Sequence, residues 1–332
     1  MKGVIKEMGL NMTFREFADL LRNDKTQMFT TAEEALDTYR GIISKANSKL
    51  ASLFPADILT DDVYNLRVEA SPPGGAIAYY ESSTQTFYVK LEPLQVQTKY
   101  EATTLTLHEG NPGHNLQQVV ANNQRNLPDF MRKPMFERYS EAPSRFNMPT
   151  VHTEGWGLYS EFLGFEMEMY EEKYARLGHY SYNLLRACRL VVDTGLHALG
   201  WSRDQAVQYM LENTALTEES IEGEVDRYIT WPGQACAYKI GERKIRELRS
   251  MAEERLGEKF DVKEFHRVSL KCVGPLTVLE RCVGDWIQAT ASPKTDSNIT
   301  YDFEEDSGAG GGVIQPTLVL LGLSLLSLET LL

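Results

Sequence analysis

Apolar residues recur at intervals of three and four positions through most of this chain, a spacing that predicts a mainly α-helical fold. A capping-box pattern at Thr13-Phe14-Arg15-Glu16 opens the first amphipathic helix, and Thr30 or Thr31 precedes the second. A further helix is predicted to begin near Tyr100. Later helices are predicted over about residues 154–177, 180–198, 202–213, 218–228, 235–256 and 275–290.

One small sheet is predicted ahead of the helix that begins near Tyr100. Residues 76–80 and 86–89 are rich in aromatic and β-branched side chains and follow a Pro-Gly turn cluster, so we expect two short strands there. Residues 126–149 contain four prolines and are expected to be irregular. The sequence therefore predicts a mainly α protein with one short sheet.

The chain is acidic, which argues against the class of proteins that bind nucleic acid through clustered cations. Its 332 residues carry 34 Lys and Arg against 47 Asp and Glu, a net charge of -13. The four cysteines contain no CxxC pair, so a thiolate zinc site is not expected. One disulfide is compatible with this number of cysteines, but its pairing does not follow from the sequence.

The C-terminal end has the composition of a lipid-attachment signal. Small residues at 307–312 follow an acidic stretch and precede a mostly apolar segment at 313–332, which predicts GPI attachment at the cell surface. A tail-anchored membrane helix, or a tail without a role, is the alternative. We therefore expect a helical body over 1–292, a linker over 293–312 and an apolar tail over 313–332.

The N-terminal end does not match this expectation about the tail. Residues 1–10 lack the apolar stretch of a secretory signal peptide, whereas GPI attachment requires entry into the secretory pathway. Sequons at Asn11 and Asn298 fit an extracellular glycoprotein. Either the chain is a fragment that lacks its front, or the prediction for the tail is wrong.

The clearest chemical signal is the stretch His108-Glu109-Gly110-Asn111-Pro112-Gly113-His114. Zinc favours imidazole ligands, and a glutamate beside the first ligand can take a proton from water. A spacing of six residues sets the two imidazoles about 240° apart on an ideal helix, so an unbroken helix cannot present both to one ion. Because two glycines and a proline lie between them, we expect a broken or bulged helix that brings the imidazoles together. The alternative is a helix terminus with two ordinary histidines.

A catalytic zinc site needs a third protein ligand, and the next polar cluster along the chain supplies candidates. Glu154 is the first candidate, since it lies on a later helix that can pack against the first. Glu161 follows Glu154 by two helical turns on the same face and can hydrogen-bond a ligand histidine. His152 is a rival ligand on a different face, and a solvated helix face is the alternative for both glutamates.

A hydrolase of this kind also needs a hydrogen-bond donor for the oxyanion of its substrate. The segment at 227–241 offers Tyr238 and, less directly, Tyr228 and Lys239. A buried tyrosine in a helix is more often part of the core. No general base accompanies Cys236, so a cysteine nucleophile is not expected.

Three polar residues recur one helical turn apart upstream of that segment. Arg189, Asp193 and His197 lie on one face of a predicted helix. They fit either a polar network under the site or a clamp for a substrate carboxylate, and the network is the more ordinary arrangement.

The chain resembles the family called domain of unknown function 885, whose members are similar to gluzincin-type zinc peptidases such as the thimet-oligopeptidase and angiotensin-converting-enzyme groups. The resemblance covers about residues 5–290 in four ordered stretches. These stretches are His108 to His114, Glu154 to Glu161, Arg189 to His197, and Arg227 to Gly241. Chains of the family are usually close to twice this length, and this chain resembles their C-terminal part alone.

The resemblance implies zinc ligation by His108, His114 and Glu154, with Glu109 as general base and Tyr238 as oxyanion donor. It also implies a mostly helical, two-lobed, zincin-like catalytic half with a short β-sheet lining a cleft. The expected function is that of a zinc-dependent peptidase acting on short peptides. A truncated surface protein that keeps a relic zinc site is the rival, and a zinc hydrolase of other amides or esters is a weaker one.

Overall fold

The computed structural model of the chain describes residues 2–72, 77–132 and 150–292. Within these ranges the fold is mainly helical, as the spacing of apolar residues predicted. The helices are α1 (Lys2–Glu7), α2 (Phe14–Asn23), α3 (Ala32–Leu53), α4 (Asp61–Tyr64), α5 (Lys99–Glu109), α6 (His114–Asn123), α7 (Asp129–Arg132), α8 (Thr150–Glu166), α9 (Lys173–Ala198), α10 (Arg203–Asn213), α11 (Glu218–Thr230), α12 (Gln234–Leu256), α13 (Val262–Lys271) and α14 (Leu276–Ala291).

The small sheet has three strands, one more than predicted. They are β1 (Arg67–Ala70), β2 (Ala78–Glu81) and β3 (Thr86–Val89), in the order β1-β3-β2. The central strand β3 is parallel to β1 and antiparallel to β2, with Tyr80 opposite Phe87. One side of β2 is therefore an edge of the sheet.

Most predicted helices are confirmed, one boundary is wrong, and the helices α1, α4, α7 and α13 were not predicted. The single helix predicted over 154–177 is wrong, because α8 ends at Glu166 and α9 begins at Lys173. Glu168, in the connection, has a φ of 51°, outside the helical range. Helix α13 was missed, although Asp261 caps its first turn by accepting a hydrogen bond from the backbone of Lys263.

The largest core forms where α8 packs against α12, and close backbone approach makes this packing possible. Trp156 and Tyr159 of α8 are fully buried in this core. Gly155 of α8 faces Gly241 of α12. A Cβ atom at Gly241 would overlap the carbonyl oxygen of Val151 and lie 2.6 Å from Cα of Gly155. The two helices can therefore lie this close only with glycine at their crossing.

A second core attaches the sheet to the helix that carries the histidine motif. Tyr39 of α3 meets Phe87 of β3 edge to face, with ring centroids 5.5 Å apart. Leu105 of α5 is buried in the same cluster. Because α5 and the sheet share this core, the edge strand β2 is held beside the end of α5.

A disulfide between Cys272 and Cys282 joins the end of α13 to α14, with a Cα–Cα distance of 6.3 Å. The sequence left this pairing open. Over the described ranges, the helices include none with the length and apolarity that a membrane crossing needs. The linker and the tail predicted at 293–312 and 313–332 lie outside the described residues.

The crossing of α8 and α12 generates a stability prediction. We expect Gly241→Ala to lower the free energy of unfolding by about 1–3 kcal/mol, because the new methyl group meets backbone atoms on α8. Gly223→Ala on α11 is the matched control, since a Cβ there meets nothing within 4 Å. It should stabilise the chain by about 0.5–1 kcal/mol through helix propensity. Urea unfolding measures both, and equal midpoints for the two variants would contradict the packing argument.

Candidate functional site

The interruption predicted between the two histidines is confirmed. Helix α5 ends at Glu109, and α6 begins at His114 after a turn of four residues. A Cβ atom at Gly113 would overlap the carbonyl oxygen of His108, so only glycine lets the chain fold back this closely. The break places the imidazoles of His108 and His114 edge to face, with ring centroids 4.7 Å apart.

Side-chain amides and an indole hold the interrupted segment in place. The Asn111 amide donates to Oδ1 of Asn47 and to the carbonyl of Val63, and the Asn115 amide donates to the same carbonyl. The Trp156 indole donates to the carbonyl of Pro112 at 2.9 Å. The turn is therefore fixed to α8 through the Pro112 carbonyl and to the segment around Val63 through two side-chain amides.

The carboxylate of Glu154 faces both imidazoles. Its Oε2 lies 3.4 Å from Nε2 of His108 and 3.5 Å from Nε2 of His114. These distances exceed those of ordinary charge-assisted hydrogen bonds, which are about 2.7–2.9 Å. Two imidazole nitrogens thus converge on one carboxylate oxygen, at distances longer than those of strong hydrogen bonds.

A buried glutamate fixes the orientation of His108 from the other side. Oε1 of Glu161 lies 2.8 Å from Nδ1 of His108, and the same oxygen accepts from the Arg186 guanidinium at 3.3 Å. Gly157 of α8 lies beneath the ring, where a Cβ would come within 2.6 Å of the imidazole. Held in this way, His108 directs Nε2 toward Glu154.

The two carboxylates make the position between the imidazoles favourable for positive charge. Burial by itself lowers the pKa of His108, but its hydrogen bonds to Glu154 and Glu161 outweigh burial and raise the pKa to about 9. Burial likewise opposes ionisation of Glu154, but its contacts with the two histidines bring its pKa well below the usual value. Such paired perturbations of neighbouring groups are typical of functional residues.

Glu109 lies beside the same imidazoles and is tied to the sheet. One donor atom each from His108, Glu109 and His114 falls within 4.8 Å of the others. Oε2 of Glu109 accepts a hydrogen bond from the backbone N–H of Tyr80 in β2 at 3.0 Å. Two glutamates, Glu109 and Glu154, therefore face the pair of imidazoles.

Tyr238 of α12 joins this cluster. Its ring stacks on His108, with centroids 6.2 Å apart, and its hydroxyl accepts from the Gln234 amide at 3.2 Å. Burial and the negative charge of Glu154 raise the pKa of Tyr238, so the hydroxyl stays protonated. Cζ of Arg189 lies 4.6 Å from the centroid of the same ring.

The remaining predicted residues link helices around the cluster. Tyr228 accepts from Nε of Arg189 at 2.9 Å, and Nε2 of His197 lies 2.9 Å from the carbonyl of Tyr228. Asp193 accepts the backbone N–H of Gly233 at the start of α12. Lys239 donates to Asn183 and pairs with Glu242 in a buried pair. Asp193 and His197 thus belong to a polar network rather than to the imidazole cluster.

Sequence reasoning missed several groups in the site. Arg186 precedes Arg189 by one helical turn on α9, a spacing that the sequence does contain. The backbone N–H of Tyr80 carries no signal in the sequence, because any residue at this position of β2 supplies it. Burial raises the pKa of the Cys236 thiol to about 12, which leaves the thiol protonated at neutral pH.

Solved structures that are similar to this chain include two described as lipoproteins. A putative lipoprotein from Colwellia psychrerythraea is 34% identical, with a TM-score of 0.77, over 86% of this chain and 49% of that one. A putative lipoprotein of unknown function from Shewanella oneidensis is 20% identical, with a TM-score of 0.63, over 80% of this chain and 48% of that one, and shows likeness of fold alone. The chain spans about half the length of these relatives.

Sequence comparison gives the family. Among curated proteins, none matches this chain. The family described as bacterial protein of unknown function DUF885 matches residues 1–283, which run from α1 to the middle of α14. The chain therefore belongs to the DUF885 family.

Proposed function

We propose that this chain is a zinc-dependent hydrolase of the gluzincin type that acts on short peptides. The observation that carries the proposal is the convergence of two imidazole nitrogens on one carboxylate oxygen, at 3.4 and 3.5 Å. Ligand atoms in a tetrahedral zinc site with bonds of about 2.1 Å are separated by about 3.4 Å. The spacing thus fits ligands around a common ion better than it fits hydrogen bonds between the groups.

The donor set also fits zinc by its chemistry. Two neutral imidazoles and one carboxylate are a familiar catalytic combination, which leaves a fourth position for water or substrate. Glu161 supplies the hydrogen bond to the ligand histidine that usually accompanies such sites. His108, His114 and Glu154 would hold the ion.

Glu109 is assigned the role of general base. A bound zinc ion supplies Lewis-acid polarisation of a carbonyl and lowers the pKa of a water molecule. Glu109 lies within reach of the same position, and the N–H of Tyr80 fixes one of its oxygens. The carboxylate is therefore oriented to take the proton of the attacking water and to deliver it to the leaving amine.

Tyr238 is assigned to the oxyanion. Its hydroxyl is protonated and lies on a rigid helix beside His108, so it can donate a hydrogen bond to the carbonyl oxygen as negative charge develops there. The ring also contacts Arg189, whose positive charge favours negative charge nearby.

The proposed location is the cell surface. Its support is that the solved relative at 34% identity is called a putative lipoprotein. GPI attachment remains a prediction, because residues 313–332 lie outside the described ranges. The activity of the whole protein is also a proposal, because the chain covers 49% of that relative.

The ligand assignment generates a prediction on metal content. We expect the purified chain to bind one zinc ion and His108→Ala to lose it, since removal of one of three protein ligands leaves an incomplete site. His197→Ala is the control, because this exposed histidine bonds the carbonyl of Tyr228. Elemental analysis after dialysis measures the stoichiometry. One zinc ion per chain in the His108 variant would reject the assignment.

The role of Glu109 generates a separate prediction on turnover. We expect Glu109→Gln to keep zinc and to lower kcat by about 100-fold to 10,000-fold, because the amide keeps the shape but cannot accept a proton. Glu171→Gln makes the same chemical change at an exposed position and should keep the wild-type kcat. Hydrolysis of a quenched fluorescent peptide library measures the rates.

The same assays separate the rival functions. Zinc without turnover of any peptide or small acyl substrate would favour the non-catalytic surface protein with a relic site. Turnover of esters or other amides alone would keep the zinc hydrolase and remove the peptidase. Undiminished turnover by the Glu109 variant would exclude Glu109 as the base.

A further inference from the structure

Guanidinium groups gather around Tyr238, on the side of the cluster formed by α9 and α11. Cζ of Arg189 lies 4.6 Å from the Tyr238 ring centroid, and Cζ of Arg186 lies 5.9 Å from it. Nη1 of Arg227 donates to Gln234 at 2.8 Å, and Gln234 donates in turn to the Tyr238 hydroxyl. Three cations thus surround one residue of the proposed active site.

Two of these cations share one carboxylate. Oε2 of Glu224 accepts from Nη2 of Arg189 at 2.7 Å and from Nη2 of Arg227 at 3.1 Å. The same oxygen also accepts from the Tyr228 hydroxyl at 2.6 Å. Asp193, the acidic residue on α9, accepts a hydrogen bond from the backbone N–H of Gly233 instead of from these arginines. Hydrogen-bonding capacity for a further carboxylate is therefore left on the guanidinium groups.

Two nitrogens of these guanidinium groups, Nε of Arg186 and Nη1 of Arg189, are buried without a hydrogen-bond partner among the described residues. Arg189 is only 6% exposed, so water does not reach its Nη1 atom freely. A buried, unsatisfied donor on a charged group is costly, so an occupant that accepts from it is favoured. Arg227, with 30% of its side chain exposed, connects the cluster to solvent.

Arg189 and His108 contact the same ring, that of Tyr238. The Tyr238 ring contacts both groups, with the His108 ring centroid at 6.2 Å and Cζ of Arg189 at 4.6 Å. Together these distances place Cζ of Arg189 at most about 11 Å from the His108 ring centroid, a separation that one to three residues of extended peptide can cover at about 3.4 Å per residue. An anion bound by the arginines can therefore belong to a substrate whose carbonyl lies at the imidazoles.

We propose that Arg189 and Arg227 bind a carboxylate of the substrate, and that this group is the α-carboxylate of a peptide cleaved one to three residues from its C-terminus. The forked guanidinium group matches a carboxylate with two parallel hydrogen bonds. An Asp or Glu side chain offers the same chemistry, so the test must separate it from the chain end. The inference rests on the proposed hydrolase function and specifies its substrate.

Binding to a chain that does not turn over tests the inference independently of catalysis. Three peptides labelled at the N-terminus would be titrated into zinc-loaded Glu109→Gln protein. Two share one sequence and end in a free acid or in an amide, and the third is the amide with Glu as its penultimate residue. We expect the free acid to bind about tenfold to hundredfold more tightly than either amide, because a hydrogen bond to a charged group typically contributes that much to affinity. Fluorescence anisotropy measures the dissociation constants.

Arginine variants locate the effect. Arg227→Gln, placed in the same background, should reduce the preference for the free acid to about twofold or less, because it removes the accessible cation. Arg189→Lys keeps the charge but lacks the fork, and should reduce the preference partly. Arg203→Gln removes an exposed arginine that pairs with Asp226 and should leave the preference unchanged. Circular dichroism identifies any variant that fails to fold. If the Arg189 variant fails to fold, the Arg227 variant alone tests the inference.

Each outcome has one meaning. Equal binding of acid and amide overturns the inference, as does a preference that survives in the Arg227 variant. Tight binding of the Glu-containing amide alone would assign the site to a side-chain carboxylate and overturn the choice of the chain end. A preference for the free acid that depends on Arg227, in a chain whose wild type hydrolyses nothing, would support the carboxylate site and reject the hydrolase.

Discussion

The site depends on the close return of the backbone between α5 and α6. A helix that continued through this segment would point His108 and His114 in different directions, since six residues correspond to about 240° of rotation. The turn brings both Nε2 atoms to the same oxygen of Glu154. This return is possible because Gly113 has no Cβ to meet the carbonyl of His108. The surrounding amides and Trp156 hold the turn in one conformation.

The second requirement is that buried charges be balanced. Glu154 and Glu161 lie with two imidazoles in a region where an unpaired charge is costly. Burial alone opposes the ionisation of either carboxylate, and it is the adjacent histidines and Arg186 that keep both anionic. A proton on His108 or a divalent cation between the rings satisfies the same demand. Apolar packing would cost less desolvation free energy than these buried charges do. The arrangement is therefore unusual for a structural core and favours a functional interpretation.

Features that depend on neighbouring residues could be predicted from the sequence, whereas contacts between distant segments could not. Helix periodicity, capping residues and the Pro-Gly break are set by neighbours along the chain, and they predicted most helices and the interruption after Glu109. The third strand and the disulfide between Cys272 and Cys282 depend on which segments meet in space. The same is true of the N–H of Tyr80 and of Gly157 beneath His108, because a backbone donor or a missing Cβ has meaning only next to its partner.

The imidazole cluster and the arginine cluster share structural elements, and this has a consequence for how the site responds to change. Oε1 of Glu161 accepts from Arg186 while it faces Nδ1 of His108. Arg186 and Arg189 lie one turn apart on α9 and approach the same ring of Tyr238. A change of charge at either cluster alters the field at the other across a few ångströms of low-dielectric interior. The orientation of His108 and the charge that faces Tyr238 are therefore coupled through Glu161, and substitutions in the two clusters should not act additively.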